Sequence, residues 1–402
     1  MRYTFEATDR RGVGVSGTYE ADNEAEVDEY LQKRKLIPVS IKPEAALLFG
    51  QEITLFEGIT ALDRIALVRN LAATARAGLG IIEALDILAQ DASKKLLKKI
   101  LLQIKTNMEN GRSLWQSFQE YGRYFPPFFV GMIKAAESSG KLDTTLDELT
   151  QYLTREYNLV KKVKSALAYP LVLLSASFVV IVLLLGFVLP SLEKTFQRSQ
   201  IVLPFYTKIM LAIGHAIRYN LILDIVVVVF IAGTAVLVRQ NATLKNLFAR
   251  LAFHLPGIKN ILRKIVLVRF SRTLGSLLSS GALITDALRL TADSVGNYYY
   301  RQALLKVNED VGRGISLSKA LAARDQMFPH FLVSLVIVGE KTGTLESILK
   351  TFADFYDEEV DYSLRSLTTF LEPAMLLIMG LIVGSIVLSV ILPIYQFVGK
   401  FI

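Results

Sequence analysis

PLVLLSASFVVIVLLLGFVLP, residues 170–190, and PAMLLIMGLIVGSIVLSVILP, residues 373–393, decide the fold. Each holds 19 residues without an ionisable side chain between two prolines. A helix of that length crosses a hydrocarbon core of about 30 Å. A third apolar run, residues 221–238, carries Asp224 near its start, from where the carboxylate can reach the interface. It reads as a further span, with a buried core helix as the alternative. Composition agrees: 52% of the 402 residues are hydrophobic and 20% charged, with a mean hydropathy of +0.40, which excludes a disordered or collagen-like chain.

Basic residues orient these spans, because positive charge is retained on the cytoplasmic side. Arg155, Lys161, Lys162 and Lys164 precede the first apolar run, Arg239, Lys245 and Arg250 follow the second, and Arg365 precedes the third. The two large flanking regions therefore read as cytoplasmic. The short loop 191–220 and the tail 394–402 read as periplasmic, in a bacterial inner-membrane layout. The net charge of +8 is an orientation signal with added attraction to anionic lipid. It is not interleaved with aromatic residues as a nucleic-acid stripe would be, so no nucleic acid is expected as a partner.

Working outward from the two proline-bounded runs, the chain repeats itself at an offset of 203 residues without insertion. Arg69, Gly78, Ala84 and Leu85 fall on Arg272, Gly281, Ala287 and Leu288. Phe125, Pro126, Glu137, Gly140 and Glu156 fall on Phe328, Pro329, Glu340, Gly343 and Glu359. Each copy is a soluble unit followed by one span. Leu142, Leu146, Leu149 and Leu153, with their counterparts Leu345, Leu349, Phe352 and Tyr356, draw an apolar stripe at helical spacing. Gly78, Gly111 and Gly140, and Gly281, Gly314 and Gly343, fall between such segments, where glycine ends a helix in the left-handed conformation.

The expected fold is mainly α: a polytopic membrane protein with two repeated cytoplasmic antiparallel helical bundles, three transmembrane helices and a small N-terminal α/β domain. The α/β domain spans 1–45, where YTFEA and GTYEA alternate like strands, residues 23–33 form a polar-faced helix and residues 37–41 a short strand. A linker covers 46–61. The first bundle covers 62–169 and the second 239–372, with spans at 170–190, 221–238 and 373–393.

Chemistry is sparse. There is no cysteine, so no disulfide, thiolate metal site or cysteine nucleophile exists. Gly12, Gly14 and Gly17 satisfy G-x-G-x-x-G, but a strand-like run follows where the dinucleotide fingerprint needs a helix, so a hairpin is expected. No phosphate-binding loop is present, because Gly140-Lys141 and Gly399-Lys400 lack its upstream glycine and following Ser/Thr. His215, His254 and His330 have no second ligand at metal spacing. We therefore expect no catalytic residue, no cofactor and no metal. Glu137 lies on the face of Val130 and Ile133, so its carboxylate points toward packing and requires a partner. Arg69 with Glu137, and Arg272 with Glu340, are the expected internal braces, with a partner-docking role for Glu137 as the alternative. Gly380 and Gly384 form G-x-x-x-G, a spacing that allows close helix packing against the first span or against another protomer.

FPPFFVGMIKAAESSGKLDTTLDEL (125–149) and FPHFLVSLVIVGEKTGTLESILKTF (328–352), each leading into a proline-headed span, resemble the type II secretion system protein F family, which includes the platform proteins of type IV pili. Tyr3, Ala7, Gly12, Gly17, Ala21 and Pro38 fit that family's leading domain. The first copy departs modestly, with Ala136-Glu137 where the second keeps Gly339-Glu340. The resemblance implies an inner-membrane platform that couples a cytoplasmic assembly ATPase to insertion or extraction of pilin-like subunits. It also implies contact with other inner-membrane assembly proteins and with further copies of this chain. A three-span transporter or channel subunit is the alternative, disfavoured by spans without charge.

Overall fold

The protein is described from a computed structural model, over residues 2–8, 14–21, 24–34, 36–43, 58–198, 204–219 and 258–398. The expected span at 221–238 and most of the expected linker lie outside these residues. Two compact units divide the chain, a small one of Met1–Ile59 with Ser93–Leu96 and a large one of the remainder.

In the small unit, β1 (Arg2–Thr8) pairs antiparallel with both β2 (Gly14–Glu20) and β3 (Ile37–Pro43), giving the order β2-β1-β3. Helix α1 (Glu24–Lys33) supplies Val27 and Leu31, which are buried with Ala21 and flanked by the stacked rings of Tyr19 and Tyr30. Gly14 and Gly17 lie within β2, opposite Thr8 and Phe5. A strand therefore continues where a dinucleotide site needs a helix N-terminus.

In the large unit the repeat is legible helix by helix. The first copy contains α2 (Ala61–Arg76), α3 (Ile81–Asp91), α4 (Lys95–Glu109), α5 (Leu114–Gln119), α6 (Pro127–Ser139) and α7 (Leu142–Leu183). A π-helical turn (Leu184–Val188), α8 (Leu189–Arg198) and α9 (Phe205–Tyr219) follow. The second copy contains α10 (Ile258–Ser279), α11 (Ile284–Ser294), α12 (Tyr298–Gly312), α13 (Leu317–Ala322), α14 (His330–Thr342) and α15 (Leu345–Val398). From α3 to α6 every start and end recurs 203 residues later in α11 to α14.

The boundaries have local causes. Thr60 caps α2, its hydroxyl accepting from the Asp63 amide while the Asp63 carboxylate accepts from the Thr60 amide at 2.6 Å. Pro126 and Pro329 precede α6 and α14, where a missing amide hydrogen costs nothing. Gly78, Gly111, Gly140, Gly281, Gly314 and Gly343 all have φ between 68° and 88°, so all six glycines read as helix stops adopt the left-handed conformation. Leu146, Leu149 and Leu153 in one copy, and Leu349 and Phe352 in the other, turn the apolar stripe into buried core.

Among the described residues two helices are long and apolar enough to cross a membrane, and each continues a bundle helix without a break. Pro170, Pro373 and Pro393 lie inside these helices and do not start them. A proline withholds one hydrogen bond from the carbonyl four residues earlier, and in apolar surroundings the remaining ladder carries the helix past that gap. The boundaries expected at residues 170 and 373 are therefore positions along continuous rods. At about 1.5 Å per residue, the 54 residues of α15 extend about 80 Å.

Candidate functional site: the carboxylate caps and the seam between repeats

Glu137 and Glu340 perform the same local task in the two copies. The Leu114 and Trp115 amides, at the start of α5, donate to Glu137 Oε1 and Oε2 at 2.8 and 2.9 Å. In the second copy the Ser318 amide donates to Glu340 Oε2 at 3.3 Å, and the Ser318 hydroxyl donates to the same oxygen. The first amides of a helix have no intrahelical acceptor, so a carboxylate from α6 or α14 closes the start of α5 or α13. This is why an acidic residue sits on an otherwise packing face beside Val130 and Ile133.

The expected braces are not formed. Arg69 is exposed on α2, and its counterpart Arg272 is 3% exposed but lies near Asp357, at 3.7 Å, not near Glu340. The difference is topological: α10 packs against α15 of its own copy, as α2 packs against α7, but α10 is also covered by α7 and α6 of the first copy, whereas Arg69 on α2 faces solvent. Replacing Glu137 with alanine is expected to cost about 1–3 kcal/mol through two unsatisfied amides, with partial recovery in Glu137→Gln. Trp115, the single tryptophan, reports the loss as a lower urea midpoint in its emission.

Between the repeats runs a polar seam that was not anticipated. The long helices lie parallel, with residues of α7 spaced by seven facing α15. Glu148 accepts from Lys350 at 2.7 Å, Arg155 pairs with Asp354, Lys162 bridges Asp357 and Asp361 at 3.0 and 2.7 Å, and the Tyr169 hydroxyl donates to Glu372 at 3.2 Å. Tyr169 and Glu372 are equivalent positions 203 residues apart, so the rods meet in register just before Pro170 and Pro373. A seven-residue recurrence keeps one face of a helix on its neighbour over several turns. Exposed ion pairs add little stability, but the reversal of sign between the Glu148–Lys350 pair and the Arg155 and Lys162 pairs disfavours a slipped register. The signal was present in the sequence as polar residues at a heptad spacing.

Helix α10 joins the seam from the second copy. Arg269 pairs with Glu156 at 2.6 Å, and the Tyr152 hydroxyl shares a 2.9 Å hydrogen bond with Thr273. Residues of α5 and α6 and the start of α11 line an open pocket of about 470 Å³, with Trp115, Val130, Gly131, Leu283 and Leu290 among its walls. Lys134 lies 5.1 Å over the Trp115 ring. Among the described residues no three His, Cys, Asp or Glu side chains gather as a metal site. His215 does have a partner, Glu193 at 2.7 Å, while His330 is exposed at the first turn of α14 and His254 lies outside the described residues.

Gly380 and Gly384 are not packed by the chain's own described helices, since an added Cβ at either would meet no atom within 4 Å. The close approach to the first span is therefore not made at these glycines. The long helices touch through side chains on another face.

Residues 67–190 match the family described as "Type II secretion system (T2SS), protein F", residues 270–393 match it a second time, and residues 1–42 match the family's N-terminal domain. The chain belongs to the type II secretion system protein F family. Both matches end at the proline closing an apolar run and are offset by the same 203 residues, so the protein F unit and the structural repeat coincide. Over 99% of its length the chain is 31% identical to the type IV pilus assembly protein PilC of Myxococcus xanthus, covering 95% of that protein. It is 31% identical to the protein of the same name from Thermus thermophilus, covering 99% of this chain and 98% of that one. It is also 28% identical to the type II secretion system protein F of Pseudomonas aeruginosa, covering 98% and 97%. Relatives of this protein F chain thus carry pilus-assembly and secretion names.

Proposed function

We propose that the protein is a platform that transmits movement of a cytoplasmic assembly ATPase into the membrane, where pilin-like subunits are inserted or extracted. The carrying observation is the continuity of α7 and α15, each a rod running from a bundle core into an apolar stretch without a loop. A helix is stiff along its axis, so displacement of a bundle is delivered to the apolar segment in place of being absorbed by a hinge. The heptad-spaced seam makes the two rods move together. No phosphate-binding motif occurs in the sequence, which supports energy arriving by contact.

In this reading both bundles and the N-terminal unit face the cytoplasm, and residues 221–238 return the chain across the membrane between the repeats. The open Gly380 and Gly384 face supports contact with further copies of the chain.

A flexible Gly-Ser insert between Ala166 and Leu167, with a matching insert between Thr369 and Phe370, tests the transmission. The full-length variant is expected to co-purify with the cognate ATPase from membranes yet to lose pilus assembly or secretion. Assembly that persists with both rods severed overturns the coupling, as does absence of ATPase binding by the intact full chain.

A further inference from the structure

Helix α9 belongs to the segment expected as an aqueous loop, yet its packing is inconsistent with that placement. Thr207, Leu211 and Gly214 share one face and are buried. Leu211 packs with Leu185, Leu189 and Ile386, which belong to the two apolar runs. At Gly214 the approach is so close that an added Cβ would lie 2.1 Å from the Leu185 carbonyl oxygen. Leu185, Ile386 and Ser389 lie three to six residues before the ends of their runs, about 4–9 Å inside them along a helix.

The polar contact at this level has a specific cause. Pro393 has no amide hydrogen, so the Ser389 carbonyl four residues earlier loses its helical donor. The Thr207 hydroxyl of α9, fully buried, donates to that carbonyl at 3.0 Å. In water such a carbonyl would be hydrated, whereas in hydrocarbon it needs a protein donor. Ser389 is also the 203-residue counterpart of Gly186, which adjoins Leu185. Thr207 and Gly214, two turns apart on α9, therefore meet the two rods at corresponding heights, and α9 lies across them.

The opposite face of α9 is apolar and bare. Phe205 is 80% exposed, and Ile209, Ala212, Ile213 and Ala216 are exposed along the same side with only Lys208 among them. Phe187, Val188, Val387 and Leu388, at the same level of the rods, are exposed too. A lysine stem can lie in hydrocarbon with its ammonium at the surface. From this we infer that α9 is an interfacial membrane helix lying in the bilayer across the ends of the two spans, with lipid acyl chains covering the Phe205, Ile209 and Ile213 face. It rests on the reading of α7 and α15 as membrane spans. An interfacial helix is buried about 5–10 Å into the boundary between headgroups and acyl chains, which matches the depth at which α9 meets the rods.

The chain has no cysteine, so single-cysteine variants need no background removal. Ile209→Cys and Ile213→Cys, spin-labelled in the full-length protein in vesicles of phosphatidylethanolamine and phosphatidylglycerol, are compared with two references. Leu381→Cys marks the last span and Tyr362→Cys the exposed bundle side of the same helix. Labels on α9 are expected to collide with oxygen as Leu381 does, and several-fold less with a water-soluble nickel chelate than Tyr362 does. Gly214→Ala and Thr207→Val, each combined with Ile213→Cys, are expected to raise the nickel collision rate by loosening the helix from the rods. If the α9 labels read like Tyr362 while Leu381 reads as lipid, the interfacial placement is wrong. A water-like signal at Leu381 would instead overturn the membrane reading on which it rests.

Discussion

Asp357→Ala is expected to destabilise the paired repeats by about 3–5 kcal/mol, the scale for removing one partner of a buried ion pair. Arg272 is more than nine-tenths buried, and none of its guanidinium nitrogens makes a hydrogen bond. Its compensation is therefore electrostatic, from Asp357 at 3.7 Å, and loss of that carboxylate strands a cation in a poorly solvated site. Lys162, the other cation on Asp357, keeps Asp361 and is less affected. The measurement is the urea midpoint of the full-length protein in detergent, followed by circular dichroism. Asp357→Asn should lose most of the same stability, because it removes charge with little change in shape. Arg272→Met combined with Asp357→Leu should recover much of it, since replacing a whole buried pair by apolar residues is often neutral or better. An unchanged midpoint in Asp357→Ala would mean that Arg272 is not held by this pair.

Phe125→Ala and Phe328→Ala are expected to cost about 3–5 kcal/mol each, the range for emptying a buried phenyl site. Both side chains are fully buried at equivalent positions, but their neighbours differ. Phe125 packs with Phe118 and Phe129 at ring-centroid distances of 4.7 and 5.0 Å. Phe328 packs with Phe270 and Tyr300 at 5.3 and 5.9 Å. Burial raises the Tyr300 phenol above its ordinary pKa, so its hydroxyl remains a donor, here to the Met327 carbonyl at 3.0 Å. Because Trp115 lies in the first copy, its emission separates the two variants. Phe125→Ala should lower the midpoint that Trp115 reads. Phe328→Ala should lower the circular-dichroism midpoint, and Trp115 will follow it only to the extent that the seam couples the repeats. A wild-type midpoint for either variant would show that its site collapses without cost.

The repeat, its helix stops and its apolar runs were legible because each depends on neighbouring residues alone. A glycine at positive φ, a proline before a first turn and a seven- or four-residue apolar stripe act over one or two turns, so the 203-residue offset carried them from one copy to the other. Membership of the protein F family followed from the same local patterns. Side-chain partners did not follow, and the braces show why. Arg69 and Arg272 occupy equivalent positions, yet one faces solvent and the other is buried beside Asp357, since the second copy packs against the first without the reciprocal surroundings. Glu137 needed a partner, as its apolar face required, but the partner was the open end of a helix 22 residues upstream and not a cation.

The sequence alone therefore determined the duplicated helical unit, the stops within it and the apolar stretches long enough to span a bilayer, all properties of short-range periodicity and backbone conformation. Only the tertiary structure decided that each bundle helix passes into its apolar stretch without a boundary and that α7 and α15 run parallel through a polar seam. It also decided that α9 closes across their ends. Those outcomes depend on which faces meet in space, and a chain whose two copies share one pattern cannot specify from that pattern alone which copy covers the other.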